Sequence, residues 1–291
     1  MSNQTKHPSV LITGASTGLG AACALEMDRL GWRVYAGVRT QEAGKQLADS
    51  ARAIGNESRI VPIIIDVTNK ESIAAAANTI EQTVGPDGLD ALVNNAGIAV
   101  SGPLEIVAIE RIRHQLEVNL IGQVAVTQAM LPMLRVARGR IVNMGSVSGL
   151  VASPFLGPYC MSKFALEAFS DSLRVELAHW GISVSLVEPV SIKSDIWEKA
   201  QEDIERLKAE ATPEGRELYS DVIEKMSQVI SESERTALPV EKVTRAVRHA
   251  LTARRAKTRY LVSLPLGKLL FPLFRVMPDR MRDWILRRII K

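Results

Sequence analysis

The sequence predicts an α/β fold, a doubly wound parallel sheet of about seven strands with helices on both faces, and three observations carry that prediction. Short β-branched runs alternate with longer Ala/Leu/Glu segments through the first 190 residues, the rhythm of βαβ units. The strand-like runs, IVPIII and GLDALV among them, are apolar almost throughout, which suits strands covered on both faces. The first of these runs passes straight into a turn holding Gly14, Gly18 and Gly20 and then into an Ala-rich helix.

Strands are expected near 9–13, 33–38, 60–65, 90–93, 139–145 and 182–187, with a closing edge strand at 258–262. Helices fill the intervals at 18–30, 41–54, 70–84, 106–137 (read as two), 158–179 and 240–254. Residues 193–235 are charged and helical, broken at Thr212, Pro213 and Gly215, and imply a helical insertion spanning 190–238. Residues 263–291 form a basic, Pro-broken amphipathic tail, and the whole of 1–291 reads as one domain of the doubly wound type.

Composition narrows the function classes. Hydrophobic residues make up 46% and charged residues 23%, the balance of a folded protein rather than a disordered or fibrous one. Residues 254–291 carry eleven Lys/Arg against Asp279 and Asp283, a surplus of nine, so with a total of +4 the remainder stands at −5. A nucleic-acid enzyme would carry its positive face on the folded body, and no nucleic-acid partner is expected. Cys23 and Cys160 lack the spacing of a zinc site or a disulfide framework and read as small buried filler. The histidines are scattered singly, and no metal site is expected. The polar start MSNQTKHPSV lacks an n-region and apolar run, and no stretch is expected to supply the roughly 20 apolar residues that span a bilayer, so cytoplasmic residence is expected.

The turn VLITGASTGLG places glycines where backbone N–H groups at a helix N-terminus can approach a pyrophosphate, with Ser16, Thr17, Gly18, Leu19 and Gly20 around it. At the end of the second strand, where an acid would hold the ribose hydroxyls of NAD(H), stands Arg39, which suits a 2′-phosphate. NADP(H) is therefore preferred over NAD(H), although NAD(H) remains open. Asp66 and Val67 after the third strand suit the adenine, and Asn95, Ala96 and Gly97 after the fourth suit its ribose, with an Asn side chain able to tie neighbouring loops.

Tyr159 and Lys163 stand at i and i+4 on one helix face, and Ser146 ends the strand before them. Hydride transfer needs an acid/base beside the substrate oxygen; an ammonium near a phenol lowers its pKa, and a serine hydroxyl can donate to that oxygen. Asn119, mid-helix, is a fourth candidate whose side chain could hold a water leading from Lys163 to solvent.

Taken together, TGASTGLG, NNAG, Asn119, Ser146, YCMSK and Glu188-Pro189 resemble the short-chain dehydrogenase/reductase family in order and spacing over about residues 8–262. The resemblance implies a Rossmann-type fold, a catalytic Ser146, Tyr159 and Lys163 completed by Asn119, and nicotinamide contacts from Ile192 and Ser194. The stretches VYAGVR, GPLE and TRYLV look most like the hydroxysteroid and retinol dehydrogenase branch, which implies a lipophilic alcohol or carbonyl substrate and a homo-oligomer. The sequence departs from the family at Val190, where a glycine is usual, and this adds bulk beside the nicotinamide position.

Substrate contacts are expected from Ser146, Ser148, Leu150, Phe155, Tyr159 and Val190 under the helical insertion. The tail could pack on the body, line a subunit interface or touch a membrane peripherally; Pro265, Pro272 and Pro278 deny it one long amphipathic helix and favour packing. A cofactor-binding regulator on the same fold, without turnover, is the alternative to an enzyme.

Overall fold

A computed structural model describes residues 7–53, 58–194 and 196–290. Positions 1–6, on which the expectation about a leader rested, position 54 at the end of the second expected helix, position 195 in the insertion and position 291 in the tail lie outside the described residues.

Seven parallel strands form one sheet in the order β3-β2-β1-β4-β5-β6-β7. They are β1 (Ser9–Ile12), β2 (Arg33–Val38), β3 (Ile60–Ile64), β4 (Ala91–Asn94), β5 (Arg140–Met144), β6 (Ser183–Pro189) and β7 (Arg259–Val262). Alternate side chains of each strand enter opposite layers. Val10 and Ile12 join Ala36, Val93 and Val142 beneath α1 (Gly18–Arg29), α2 (Gln41–Ala53) and α9 (Glu241–Thr252). Leu11 joins Tyr35, Leu92 and Ile141 on the other face, with Ile80 of α3 (Lys70–Val84), Met130 and Leu134 of α5 (Gly122–Ala137) and Leu173 of α6 (Gly157–Glu176). Two-sided burial explains the continuous apolar runs of β1 and β4, whereas β3, expected from IVPIII to be covered on both faces, lies at the sheet edge and leaves Val61 and Ile64 exposed.

The segment expected as two helices over 106–137 is one helical rod. It starts at α4 (Ile109–Leu116), passes through a π-helical turn over Glu117–Ile121 and continues as α5. Its 29 residues are long and apolar enough to cross a membrane, contrary to the expectation that no such stretch exists, yet Val126, Met130 and Leu134 are fully buried against the sheet. It is the core helix of a doubly wound fold.

The insertion comprises α7 (Ile196–Glu210) and α8 (Pro213–Arg235), with no strand among its described residues. The break between them has a local cause: the Thr212 side chain caps α8 by accepting the Gly215 N–H at 3.1 Å, with Pro213 in the first turn. A third apolar cluster holds the insertion down, with Ile204, Leu207, Ile223 and Met226 meeting Val100, Val107 and Phe155. Asp203 of α7 reinforces it by pairing with Arg111 and accepting the Ser101 N–H at 3.0 Å.

Two further helices end the chain, α10 (Pro265–Val276) and α11 (Asp279–Ile290). Pro265 lies in the first turn of α10, Pro272 inside it, and Pro278 just before α11. The expectation that the tail packs on the body is not met: no residue of α10 is buried, and Leu266, Leu269 and Leu273 are half or more exposed.

Candidate active site

The strand order reverses between β1 and β4, so the loops at the carboxyl ends of these strands open a crevice. Gly14 lies at φ +63° with an added Cβ only 2.8 Å from the Ala96 Cα, and a Cβ on Gly20 would fall 2.2 Å from the Gly14 carbonyl oxygen. Glycine at these positions lets two loops and a helix start meet.

Asn95 welds that meeting point: its Nδ2 donates to the Thr13 and Gly14 carbonyls at 2.9 and 3.1 Å. The Thr13 hydroxyl accepts the Asn95 and Ala96 N–H groups, each at 3.0 Å. Thr13, which sequence reasoning passed over, is therefore the hinge pin of both loops.

Above this knot begins α1. Thr17 at its N-cap makes no side-chain cap, and its first turn holds no acidic residue. The amino end of the helix thus offers N–H groups and positive partial charge to an anion, the arrangement a dinucleotide pyrophosphate requires. Ser16 and Thr17 are exposed around it, whereas Leu19 turns its side chain into the first core cluster and can serve only through its backbone.

Arg39 is exposed just after β2. The Asp66 carboxyl is held below its ordinary range chiefly by hydrogen bonds from the Thr68 N–H and hydroxyl, at 2.9 and 2.7 Å, with the charges of Arg39 and His114 adding to the effect. Arg39 and Asp66 therefore flank one end of the crevice. Val67 buries its side chain in the second core cluster, which restricts it to backbone contacts.

The reactive end lies across β5 and α6. Ser146 follows β5; its Oγ accepts the Ser148 N–H at 3.1 Å and faces the Pro189 carbonyl at 3.5 Å. Tyr159 and Lys163 project from the first turns of α6, with the Lys163 Nζ 5.5 Å from the Tyr159 ring centre. Ser146, Tyr159 and Lys163 are brought together at the sheet edge.

The electrostatics differ from the sequence expectation. Burial pushes the Tyr159 phenol up to about 12, against a smaller downward pull from the Ser146 side chain, and Lys163 does not figure among the groups that shift it. Lys163 is 6% exposed, donates to the Met144 carbonyl at 2.7 Å, and is itself lowered to about 8 by burial. Desolvation outweighs charge pairing at both groups, because the ammonium is directed at a backbone carbonyl. At neutral pH the site holds a protonated phenol and an ammonium.

Asn119 also requires correction. The water-holding role proposed for its side chain is taken by protein: Oδ1 accepts the Ile98 N–H at 2.8 Å, while Nδ2 donates to the Ile98 carbonyl at 2.9 Å and to Ser162 Oγ at 3.2 Å. Ser162 in turn donates to the Tyr159 carbonyl at 2.7 Å. Asn119, in the π-helical turn, is a bracket between the loop after β4 and the tyrosine's own turn of α6. Gly97 lies against it, an added Cβ falling 3.4 Å from Asn119 Oδ1.

The remaining expected positions divide. Ser194 donates to the Ile192 carbonyl at 3.4 Å, and its Cβ lies 3.5 Å from an added Gly18 Cβ, so the segment after β6 folds over the glycine turn. Ile192 itself is buried in the first core cluster and bridges to Leu238. Val190, expected to crowd the site, packs against that same cluster while its N–H donates to the Val262 carbonyl at 3.1 Å. Leu150 is buried and Ser148 half-buried beside Ser146. Phe155 adopts φ +64°, a strained conformation for an aromatic residue, and packs into the cluster under the insertion. Both cysteines are buried and free, and burial raises both thiols, Cys23 to about 12. Neither is a nucleophile in this setting.

Behind α6 lies a charge cluster that sequence reasoning did not find. Arg259 of β7 pairs with Glu167 and, at 3.2 and 2.9 Å, with Glu188 and Asp171. A charged residue inside the otherwise uncharged β6 was its available signal.

The family description "short chain dehydrogenase" matches residues 8–205. Mouse "Retinol dehydrogenase 16" is 39% identical over 256 residues, covering 86% of this chain and 79% of that protein. "17-beta-hydroxysteroid dehydrogenase type 6" of Bos taurus is 38% identical over 288 residues, 96% of this chain and 87% of that one. The "NADPH-dependent 3-dehydrocapnine reductase" of Ornithobacterium rhinotracheale is 34% identical over 287 residues, 97% and 96%. A crystal structure of a short-chain dehydrogenase from Streptomyces avermitilis superposes with a TM-score of 0.75 at 25% identity over 98% of this chain and 97% of that one. The chain belongs to the short-chain dehydrogenase family and is an oxidoreductase acting on CH–OH. Within that family its relatives place it in the hydroxysteroid and retinol dehydrogenase branch.

Proposed function

We propose that this chain is an NADP(H)-dependent oxidoreductase that interconverts a lipophilic alcohol and its carbonyl form, with Tyr159 as the proton donor and acceptor. The observation that carries the proposal is the convergence of Ser146, Tyr159 and Lys163 at the sheet edge that also holds the uncapped start of α1. A nicotinamide dinucleotide, when bound, supplies or accepts the hydride.

Tyr159 gives its proton to the carbonyl oxygen in reduction and takes it back in oxidation. A phenol pushed up to about 12 is the protonated donor that reduction requires. Ser146 donates a hydrogen bond to the same oxygen and steadies the charge that develops there. Lys163, anchored on the Met144 carbonyl, keeps an ammonium beside the phenol. Asn119 and Ser162 hold the tyrosine's turn of α6 in place.

Arg39 supports the choice of NADP(H), since its exposed guanidinium can pair with a 2′-phosphate. The relative titled NADPH-dependent is consistent with that choice. Phe155 and the apolar cluster under α7 and α8 favour a lipophilic substrate, in line with the retinol and hydroxysteroid relatives.

The test is cofactor absorbance during turnover with a panel of lipophilic ketones, aldehydes and alcohols. Tyr159→Phe should abolish turnover and retain cofactor binding, and wild-type activity in that variant would overturn the mechanism. Arg39→Ala should weaken NADPH binding by over tenfold and leave NADH binding unchanged, because a charge-assisted contact contributes about 1.5 to 3 kcal/mol. Equal affinity of the wild-type protein for both cofactors would reject the NADP(H) assignment. Tight NADPH binding without reaction across the panel would point to a regulator.

A further inference from the structure

We propose that α10 and α11 form an anchor that lies in the interface of an anionic lipid bilayer and holds the enzyme on the membrane surface. The proposal rests on the tail alone and is independent of the substrate.

In α10, Leu266, Leu269, Leu270, Leu273 and Val276 follow the i, i+3, i+4, i+7, i+10 spacing of one helix face, and all are 42–77% exposed. Isolated apolar side chains on a surface are ordinary, but a continuous face of this kind marks an interaction site. The same helix carries Lys268 and Arg275 on its opposite side. In α11, Trp284 is 56% exposed, with the Arg288 guanidinium 4.0 Å from its ring centre. An apolar stripe bearing leucine and an amphipathic tryptophan, backed by cations, is the pattern of a helix lying in the headgroup layer.

Charge decides between occupants. The tail, residues 263–291, holds seven Lys/Arg against Asp279 and Asp283, a surplus of five. A second copy of this tail would bring the same five charges, so pairing tail to tail opposes its own electrostatics. An anionic leaflet supplies the complementary charge and accepts the apolar face together. The two helices suit this arrangement because Pro278 ends one segment and starts the next, allowing each to lie flat.

The experiment is flotation of the full chain with phosphatidylcholine vesicles, with and without about 30% phosphatidylserine. Binding to the anionic vesicles should be at least about tenfold tighter and should weaken as KCl is raised. Leu269→Glu with Leu273→Glu should abolish binding, and Arg287→Glu with Arg288→Glu should remove the anionic preference. Brominated lipid should quench tryptophan emission in the wild type, with that quenching reduced in Trp284→Phe. All these side chains are exposed, so the unfolding midpoint should stay at the wild-type value. A wild-type chain that stays unbound, or that binds neutral and anionic vesicles equally, overturns the proposal. So does a stable dimer that the double leucine variant dissolves while vesicles go unbound, an outcome that would assign the face to a second copy.

Discussion

Glu188 provides a sharp test of how this fold manages buried charge. Its carboxyl, on the penultimate residue of β6, is 3% exposed and is pushed up to about 7 by burial first and then by the neighbouring Glu167 charge, with Arg259 opposing the rise. Arg259 also answers Glu167 and Asp171, so one guanidinium serves three carboxyls and a proton on Glu188 relieves the excess. A folded-state pKa above the ordinary 4.5 gives a contribution that is complete below pH 4.5 and is lost as pH rises through about 7. At ~1.4 kcal/mol per pH unit, the loss across that window comes to about 3 kcal/mol. Glu188→Gln keeps the shape of the protonated side chain and removes the titration. The variant should match the wild type at about pH 5 and exceed its stability by roughly 2 to 3 kcal/mol at about pH 8. Urea unfolding at several pH values reads this directly. Parallel stability curves for the two proteins would refute the reasoning, since they would mean that Glu188 binds its proton equally in the folded and unfolded chain.

Two further outcomes follow from the site. Because burial lowers Lys163 to about 8, kcat/KM for carbonyl reduction should decline as pH rises through that value, where the free enzyme loses its ammonium; a profile flat to about pH 10 would reject this. Gly14→Ala should destabilise the protein by about 1 to 3 kcal/mol and impair cofactor binding, since its Cβ meets the Ala96 backbone at a positive φ. Gly31→Ala, also at positive φ but facing open space, should cost about 1 kcal/mol and spare cofactor binding. Equal effects of the two substitutions on cofactor affinity would count against the cradle.

The inner strands were legible because two-sided burial leaves an apolar run that needs no partner to be seen, and all seven strands fall within a residue or two of their expected bounds at both ends. The two helices expected over 106–137 are α4 and α5, but they begin only at Ile109 and run on as one rod, because the π-helical turn that joins them changes the hydrogen-bond partner without a residue signal. The tail departs from expectation for another reason: prolines in the sequence favour packing over one long helix, yet Pro265 starts a helix and Pro278 precedes one, and no described residue of either helix is buried. Asn119 was found as a position and missed as a partner, since nothing near it in sequence discloses that Ser162, 43 residues away, meets its amide.

The sequence by itself determined the βαβ order, the glycine turn opening on a helix, and the i, i+4 placement of Tyr159 and Lys163. These features arise from local spacing and chain stereochemistry, which a linear reading contains. Only the tertiary structure decided where the Lys163 ammonium points, that Val190 joins the core, and that Glu167, Glu188 and Arg259 share one buried charge balance. Each of these depends on which groups are denied water and which distant partner replaces it, as when Asp203 of the insertion meets Arg111 across 92 residues. Desolvation acts through space, and its sign at Tyr159 and Lys163 could be read only after the chain had closed around them.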